Sequence, residues 1–174
     1  MRHHRNSHEI FKDFVAASAL ALEQGAERFF GRFDQKIENR YLETIRKYEK
    51  EHVRQFPEML AAIADGLTGG TDFLGEIYME LGIQNRWSGQ YFTPWNGAKA
   101  MATINCTDPA SAIKNAQDGI VSIHEPACSS GVMVLALAER FRELRLEPLR
   151  HMRAVMVDID RLCADIAYIQ TTFL

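Results

Sequence analysis

Two acidic residues stand where a short apolar run gives way first to small residues and then to a helix-forming stretch. Glu125 follows Ile120-Val121-Ser122-Ile123-His124 and precedes Pro126-Ala127-Cys128-Ser129-Ser130-Gly131, and Asp158 follows Arg153-Ala154-Val155-Met156-Val157. Ligands of open α/β sheets bind at the carboxyl ends of strands, where small side chains let them approach the backbone and helix N-termini present N–H groups. An acid at the first such end suits an ammonium or a hydroxyl and repels a pyrophosphate. An acid at the second is the usual grip on the two hydroxyls of a ribose. The pair suits a nucleoside with a charged amino-acid tail. A third piece, Phe92-Thr93-Pro94, reads by itself as a helix cap.

The elements that must hold these residues follow from periodicity. Strands over 120–123 and 153–157, a helix over 131–144 and a helix from 160 onward make one β-α-β-α unit. Parallel strands joined through a helix imply a right-handed crossover and an α/β sheet with helices on its faces. Two strands do not make a stable sheet, so the sheet is expected to be incomplete here.

Upstream the pattern is helical. Ser7 is the expected cap of a first helix with Ile10, Phe11, Phe14, Val15, Ala19 and Leu22 inward, stopping near Gly25. A second helix is expected over 34–55, with Ile37, Tyr41, Leu42, Ile45, Tyr48 and Val53 on its apolar side and charges of both signs on a solvated side. Phe56-Pro57 reads as a break, 58–64 as a short helix, and Gly66, Gly69 and Gly70 as a loop. Thr71 or Asp72 caps a helix over 73–81 that Gly82 ends. Pro94 opens one with Ala98, Met101 and Ile104 inward, and Asp108-Pro109 a short one ending near Asp118-Gly119. The expected organisation is a helical region over 1–70 and an α/β region over 71–174.

With 174 residues, 47% of them hydrophobic, the chain can bury an ordinary core. Its net charge of −3 excludes a global basic field, so polyanion binding requires a local patch. Arg140, Arg142, Arg145, Arg150 and Arg153 form one, although Glu139 and Glu143 beside them read first as ion-pair partners on a solvated face. Three separated cysteines without a CxxC pair, and no secretory leader, point to a reducing cytoplasm. No apolar run approaches the ~20 residues that cross a bilayer, so no membrane association is expected. The histidines within 1–8 read as a frayed segment rather than a metal site, and His124 and Cys128 as packing residues.

In order, GQYFTP, HEPACSSG and VDID resemble the N6-adenine DNA methyltransferase family, in particular the modification-subunit type of restriction–modification systems. That family's pattern runs GQ(F/Y)(F/Y)TP, then DPACGSGG, then an acidic-Ile-Asp strand end. FLGEIYMELG, just upstream, looks like the helix leading into the first motif. The resemblance covers roughly 72–174, and 1–70 is similar only generically to the helical domain that precedes such catalytic domains. It implies a helical N-terminal region followed by the start of a Rossmann-like, S-adenosylmethionine-dependent methyltransferase fold. It further implies that Tyr91, Phe92, Thr93 and Pro94 help hold S-adenosylmethionine, and that the loop of Glu125, Pro126, Ala127, Cys128 and Gly131 wraps its methionine end. Asp158 would meet the ribose and Ile159 the adenine ring. DNA is the implied substrate of the complete enzyme, with a second copy or a specificity subunit as partner.

Two departures stand out. Ser129 occupies the place of the family's first glycine, adding a Cβ where the backbone comes close or takes positive φ. The catalytic tetrapeptide, an Asn or Asp followed by two prolines and an aromatic, is missing, since no Pro-Pro pair occurs among the five prolines. Its usual place is downstream of Leu174. No catalytic residue is therefore assigned, and these residues alone are expected not to methylate DNA. The alternative expectation is a non-catalytic, methyltransferase-like binding or regulatory module of a mobile element. A nicotinamide-binding Rossmann domain comes third, because Glu125 would repel its pyrophosphate.

Overall fold

The computed structural model describes residues 6–82 and 92–174, and the chain divides into two compact units, Met1–Asp65 and Gly66–Leu174. The first is helical: α1 (Ser7–Phe29), α2 (Gln35–Ile45), α3 (Lys50–Val53) and most of α4 (Gln55–Leu67). Asn6, rather than Ser7, caps α1, its side chain accepting the His8 N–H at 2.7 Å. The helix runs through Gly25 to Phe29. One glycine costs about 1 kcal/mol of propensity, too little to stop a helix that buries Phe11, Phe14, Val15, Ala17, Ala19 and Leu20. Ile10, expected inward, is exposed.

The continuous helix expected over 34–55 is broken. Asp34 caps α2, accepting the N–H groups of Lys36 and Ile37, and the helix stops at Ile45. In the turn that follows, Lys47 Nζ and Tyr48 Oη both donate to Asp13, at 2.6 and 2.9 Å. Tyr48 also meets Phe56 edge-on, with centroids 5.4 Å apart, while Phe14 meets the same ring at 5.5 Å. These ties to α1 are tertiary, which is why periodicity does not register the break. Conversely, Phe56-Pro57 does not interrupt α4: Pro57 lies in its first turn, where a missing N–H leaves no intrahelical bond unmade.

The second unit is mixed α/β and mostly helical: α5 (Phe73–Glu80), α6 (Trp95–Asn105), α7 (Pro109–Asn115), β1 (Val121–Glu125), α8 (Val132–Glu143), α9 (Pro148–His151), β2 (Met152–Met156) and α10 (Arg161–Thr172). Among the described residues β1 and β2 form a two-stranded parallel sheet, in register from Val121 opposite Met152 to Glu125 opposite Met156. Burial alternates along both strands. His124, expected to pack, faces outward, as do Ser122, Arg153 and Val155. The core comes mainly from helices, with Val132, Leu135, Ala136, Ala138 and Phe141 of α8 and Cys163, Ile166, Ala167 and Ile169 of α10 all buried.

Small residues set how α6 lies on α8. Ala98 and Ala102 pack against Val132 and Ala136, flanked by Trp95, Met133 and Leu137. Two alanines one turn apart let the helix axes come close, which turns Met101 and Ile104 outward, to 47% and 74% exposed, against expectation. Near the other end of α8, Arg140 Nε donates to the Cys106 carbonyl at 3.4 Å. The two helices thus run the same way and bring Pro94 and Gly131 to one end of the unit. Asp108 caps α7 through the Ser111 N–H, and α7 stops at Asn115, short of the expected Asp118-Gly119. No described helix is long and apolar enough to cross a membrane.

Candidate cofactor site at the strand ends

Hydrogen bonds lace the two strand ends together. Beyond the ladder the Val157 N–H donates to the Glu125 carbonyl at 2.9 Å, and the Cys128 N–H donates to the Val157 carbonyl at 2.8 Å. The loop after β1 is thereby fastened to the segment after β2. Asp158 completes the join, its Oδ2 accepting the Ser129 N–H and its Oδ1 the Asp160 N–H, each at 2.8 Å. An ionised carboxylate offers about four acceptor sites, so the half-buried Asp158 keeps capacity for two further donors. Next to it Ile159 is fully exposed, at 100%. Glu125 Oε1 accepts the Ala127 N–H at 3.3 Å, while Pro126 and Ala127 form an exposed rim and Cys128 turns inward.

This end of the unit is electronegative. Burial, then the carboxylate of Asp158 and more weakly that of Glu125, pushes the Cys128 thiol up to about 11. Burial, then Asp160 and Asp158, pushes Cys163 to about 12, and burial with Cys163, Asp160 and Asp158 does the same for Tyr78. Both thiols are therefore protonated packing groups rather than nucleophiles. Burial, the larger cause, disfavours charge of either sign, and it is the smaller contribution of the Asp158, Asp160 and Glu125 carboxylates that suits a cationic ligand.

The turn between β1 and α8 takes two left-handed residues, Ser129 at φ 53° and Gly131, the N-cap of α8, at φ 86°. Ser129 Oγ is buried with no hydrogen-bond partner. The Ser129 side chain thus carries both a backbone penalty and an orphaned hydroxyl. Ser129→Gly is expected to raise stability by about 1 kcal/mol, net of glycine's greater freedom in the unfolded chain. Denaturant unfolding measures it, and an unchanged or lower midpoint would contradict the assignment of strain.

A buried polar cluster lies beneath this turn. Asp72, 4% exposed, caps α5 by accepting the Gly75 N–H at 3.2 Å. Its Oδ2 accepts from Ser130 Oγ at 2.7 Å and its Oδ1 from Gln170 Nε2 at 2.8 Å. Gln170 Nε2 also donates to the Ser130 carbonyl at 2.8 Å, and Gln170 Oε1 accepts the Leu74 N–H at 2.9 Å. Burial raises the Asp72 carboxyl above its usual value despite these donors. The sequence singles out Asp72 only as one of two possible caps and is silent on Ser130 and Gln170. Gly75, inside a helix pattern, is the one local signal: an ideal Cβ there would stand 2.2 Å from Asp72 Oδ2.

The remaining expected residues divide. Tyr91 lies outside the described residues, as do Met1 to Arg5 with two of the N-terminal histidines. Phe92 stacks on Tyr78 of α5, with centroids 4.7 Å apart and planes 5° from parallel. Thr93 is half-buried, and Pro94 caps α6 at the end that also carries Gly131. Glu125, Pro126, Ala127, Cys128, Gly131, Asp158 and Ile159 share that end. An open concavity of about 750 Å³, lined by Ala112, Asn115, Asp118, Val121 and Ser122 among others, lies instead at the amino end of β1, the end that sheets of this type do not use for ligands.

In the arginine patch, Arg140 pairs with Glu143 at 3.3 Å and Arg142 with Glu139 at 3.7 Å, and Arg153 meets Asp118 at 3.4 Å. No protein-family model, curated protein or solved structure matches the chain.

Proposed function

We propose that the second unit is the S-adenosylmethionine-binding part of a DNA adenine-N6 methyltransferase, built as the start of a Rossmann-like fold. The observation that carries this reading is Asp158: its carboxylate ties the loop after β1 to the end of β2 and retains acceptor sites beside the bare side chain of Ile159. Ribose hydroxyls suit those sites, and an adenine ring suits Ile159. Two cationic centres, ammonium and sulfonium, suit the field of Glu125, Asp158 and Asp160. When bound, S-adenosylmethionine supplies a methyl group on its sulfonium. The motif that holds a flipped adenine has no counterpart in these 174 residues, so the chain is expected to bind the donor without methylating DNA. Cytoplasmic location and DNA as the whole enzyme's substrate belong to the same proposal.

Calorimetric titration of the purified chain with S-adenosylmethionine tests it. Asp158→Ala is expected to weaken binding about 100-fold, the loss of two charge-assisted hydrogen bonds at ~1.5 kcal/mol each. Absence of binding at millimolar ligand by folded wild-type chain would overturn the proposal. The second reading, a non-catalytic module that keeps the fold, would then stand, and the left-handed Ser129 in a glycine's place is the observation in its favour. Methyl incorporation into DNA by this chain alone would refute the predicted inactivity.

A further inference from the structure

We infer that Asp72 is a positioning residue for the loop between β1 and α8: acting through Ser130 and Gln170, it holds the 128–131 turn in place. With Tyr78, it makes α5 the element that aligns both segments proposed to surround the cofactor.

The cluster leaves its members no freedom. Ser130 is 0% exposed and Gln170 is 1% exposed. Both amide protons of Gln170 are used, on Asp72 Oδ1 and the Ser130 carbonyl, and its oxygen takes the Leu74 N–H. The Ser130 hydroxyl donates to Asp72. Each bond removed would strand a buried polar atom, so the arrangement is stiff as well as satisfied.

Ser130 sits between the two residues of the turn with positive φ. Such conformations persist where the surroundings over-determine them, and Asp72 with Gln170 supplies that constraint from outside the loop. Fixing Ser130 aims the Ser129 N–H at Asp158 and the Gly131 N–H at the Cys128 carbonyl, 2.7 Å away. Two turns along α5, Tyr78 stacks on Phe92. One short helix therefore grips the loop with its first residues and the segment before α6 with its last.

Amide hydrogen exchange on the whole chain tests this, comparing wild type with Asp72→Ala, Asp72→Asn and Ser130→Ala. The Cys128, Ser129 and Gly131 amides, all hydrogen-bonded, are expected to exchange at least 10-fold faster in Asp72→Ala and Ser130→Ala, while the interiors of α8 and α10 keep their protection. Asp72→Asn is expected to restore slow exchange. Its oxygen still accepts from Gln170 and Gly75, and the Ser130 hydroxyl turns to accept from its amide. Ser130→Ala removes one hydroxyl only and keeps the test decisive should Asp72→Ala fail to fold. Unchanged exchange at those three amides, with α5 alone fraying, would overturn the inference and leave Asp72 a helix cap. Failure of Asp72→Asn to restore protection would overturn it too. Titration with S-adenosylmethionine, which rests on the proposed function, is expected to show at least 10-fold weaker binding in Asp72→Ala and Ser130→Ala, with recovery in Asp72→Asn. A wild-type chain that binds none refutes that function, and the exchange result decides the role of Asp72 by itself.

Discussion

Gly75→Ala is expected to destabilise the chain by about 3 kcal/mol, although alanine is the better helix former by ~1 kcal/mol. The reason is local: an added Cβ falls 2.2 Å from Asp72 Oδ2, 2.4 Å from Oδ1 and 2.5 Å from the carboxyl carbon. The carboxylate must leave its place over the first turn of α5. With it go the cap, worth ~1 kcal/mol, and the acceptor of the buried Ser130 hydroxyl, whose loss costs a further 1–3 kcal/mol or so. A midpoint lowered by something on the order of 10 °C in thermal unfolding would match. The same substitution should reverse sign in an Asp72→Ala chain, where no carboxylate is left to displace and only the gain in helix propensity, about 0.5–1 kcal/mol, remains. Additive effects in this double-mutant cycle would show that Gly75 is glycine for some other reason.

The second large effect is expected at Gly131. It combines φ 86° with close quarters: a Cβ would stand 3.2 Å from Ala167 Cβ and 3.3 Å from Ala167 Cα. A left-handed non-glycine residue costs about 1–2 kcal/mol, and overpacking a tight contact adds roughly as much. Gly131→Ala should therefore lose about 3 kcal/mol in denaturant unfolding. Ala167→Gly in the same chain removes the Cβ–Cβ contact but not the backbone penalty, so it should recover only part of the loss, net of its own cost in the middle of α10. Complete recovery would mean that the left-handed conformation costs nothing here, and no recovery that α10 does not press on the turn.

The two substitutions probe the same turn from opposite sides. Gly75 makes room for the carboxylate that holds Ser130 from below, and Gly131 lets α8 start against α10. Ser129, between the strand and Ser130, is the residue that fits worst, left-handed and with its hydroxyl unpartnered. In the proposed cofactor loop this is the position where the geometry would prefer glycine.

Sequence by itself determined the two strands, the long helix α8 between them and α10 after them, though not the short α9 before β2, and it placed Glu125 and Asp158 at strand ends. Period-2 runs followed by small residues and then a period of 3.6 are local signals, legible within a dozen residues. It likewise marked Asp34, Asp108 and Pro94 as helix starts, because side-chain caps and the fixed φ of a proline both act within a few residues. Tertiary structure decided the rest. The break after Ile45 depends on Asp13 taking bonds from Lys47 and Tyr48, 34 and 35 residues away. The outward turn of Met101 and Ile104 depends on how closely two alanines let α6 approach α8. The cluster beneath the loop joins Asp72 to Ser130 and Gln170 across 58 and 98 residues. Each of its members is an ordinary polar residue in its own stretch of chain, and only burial, which leaves their side chains to one another and to the Leu74 and Gly75 N–H groups, makes them one unit.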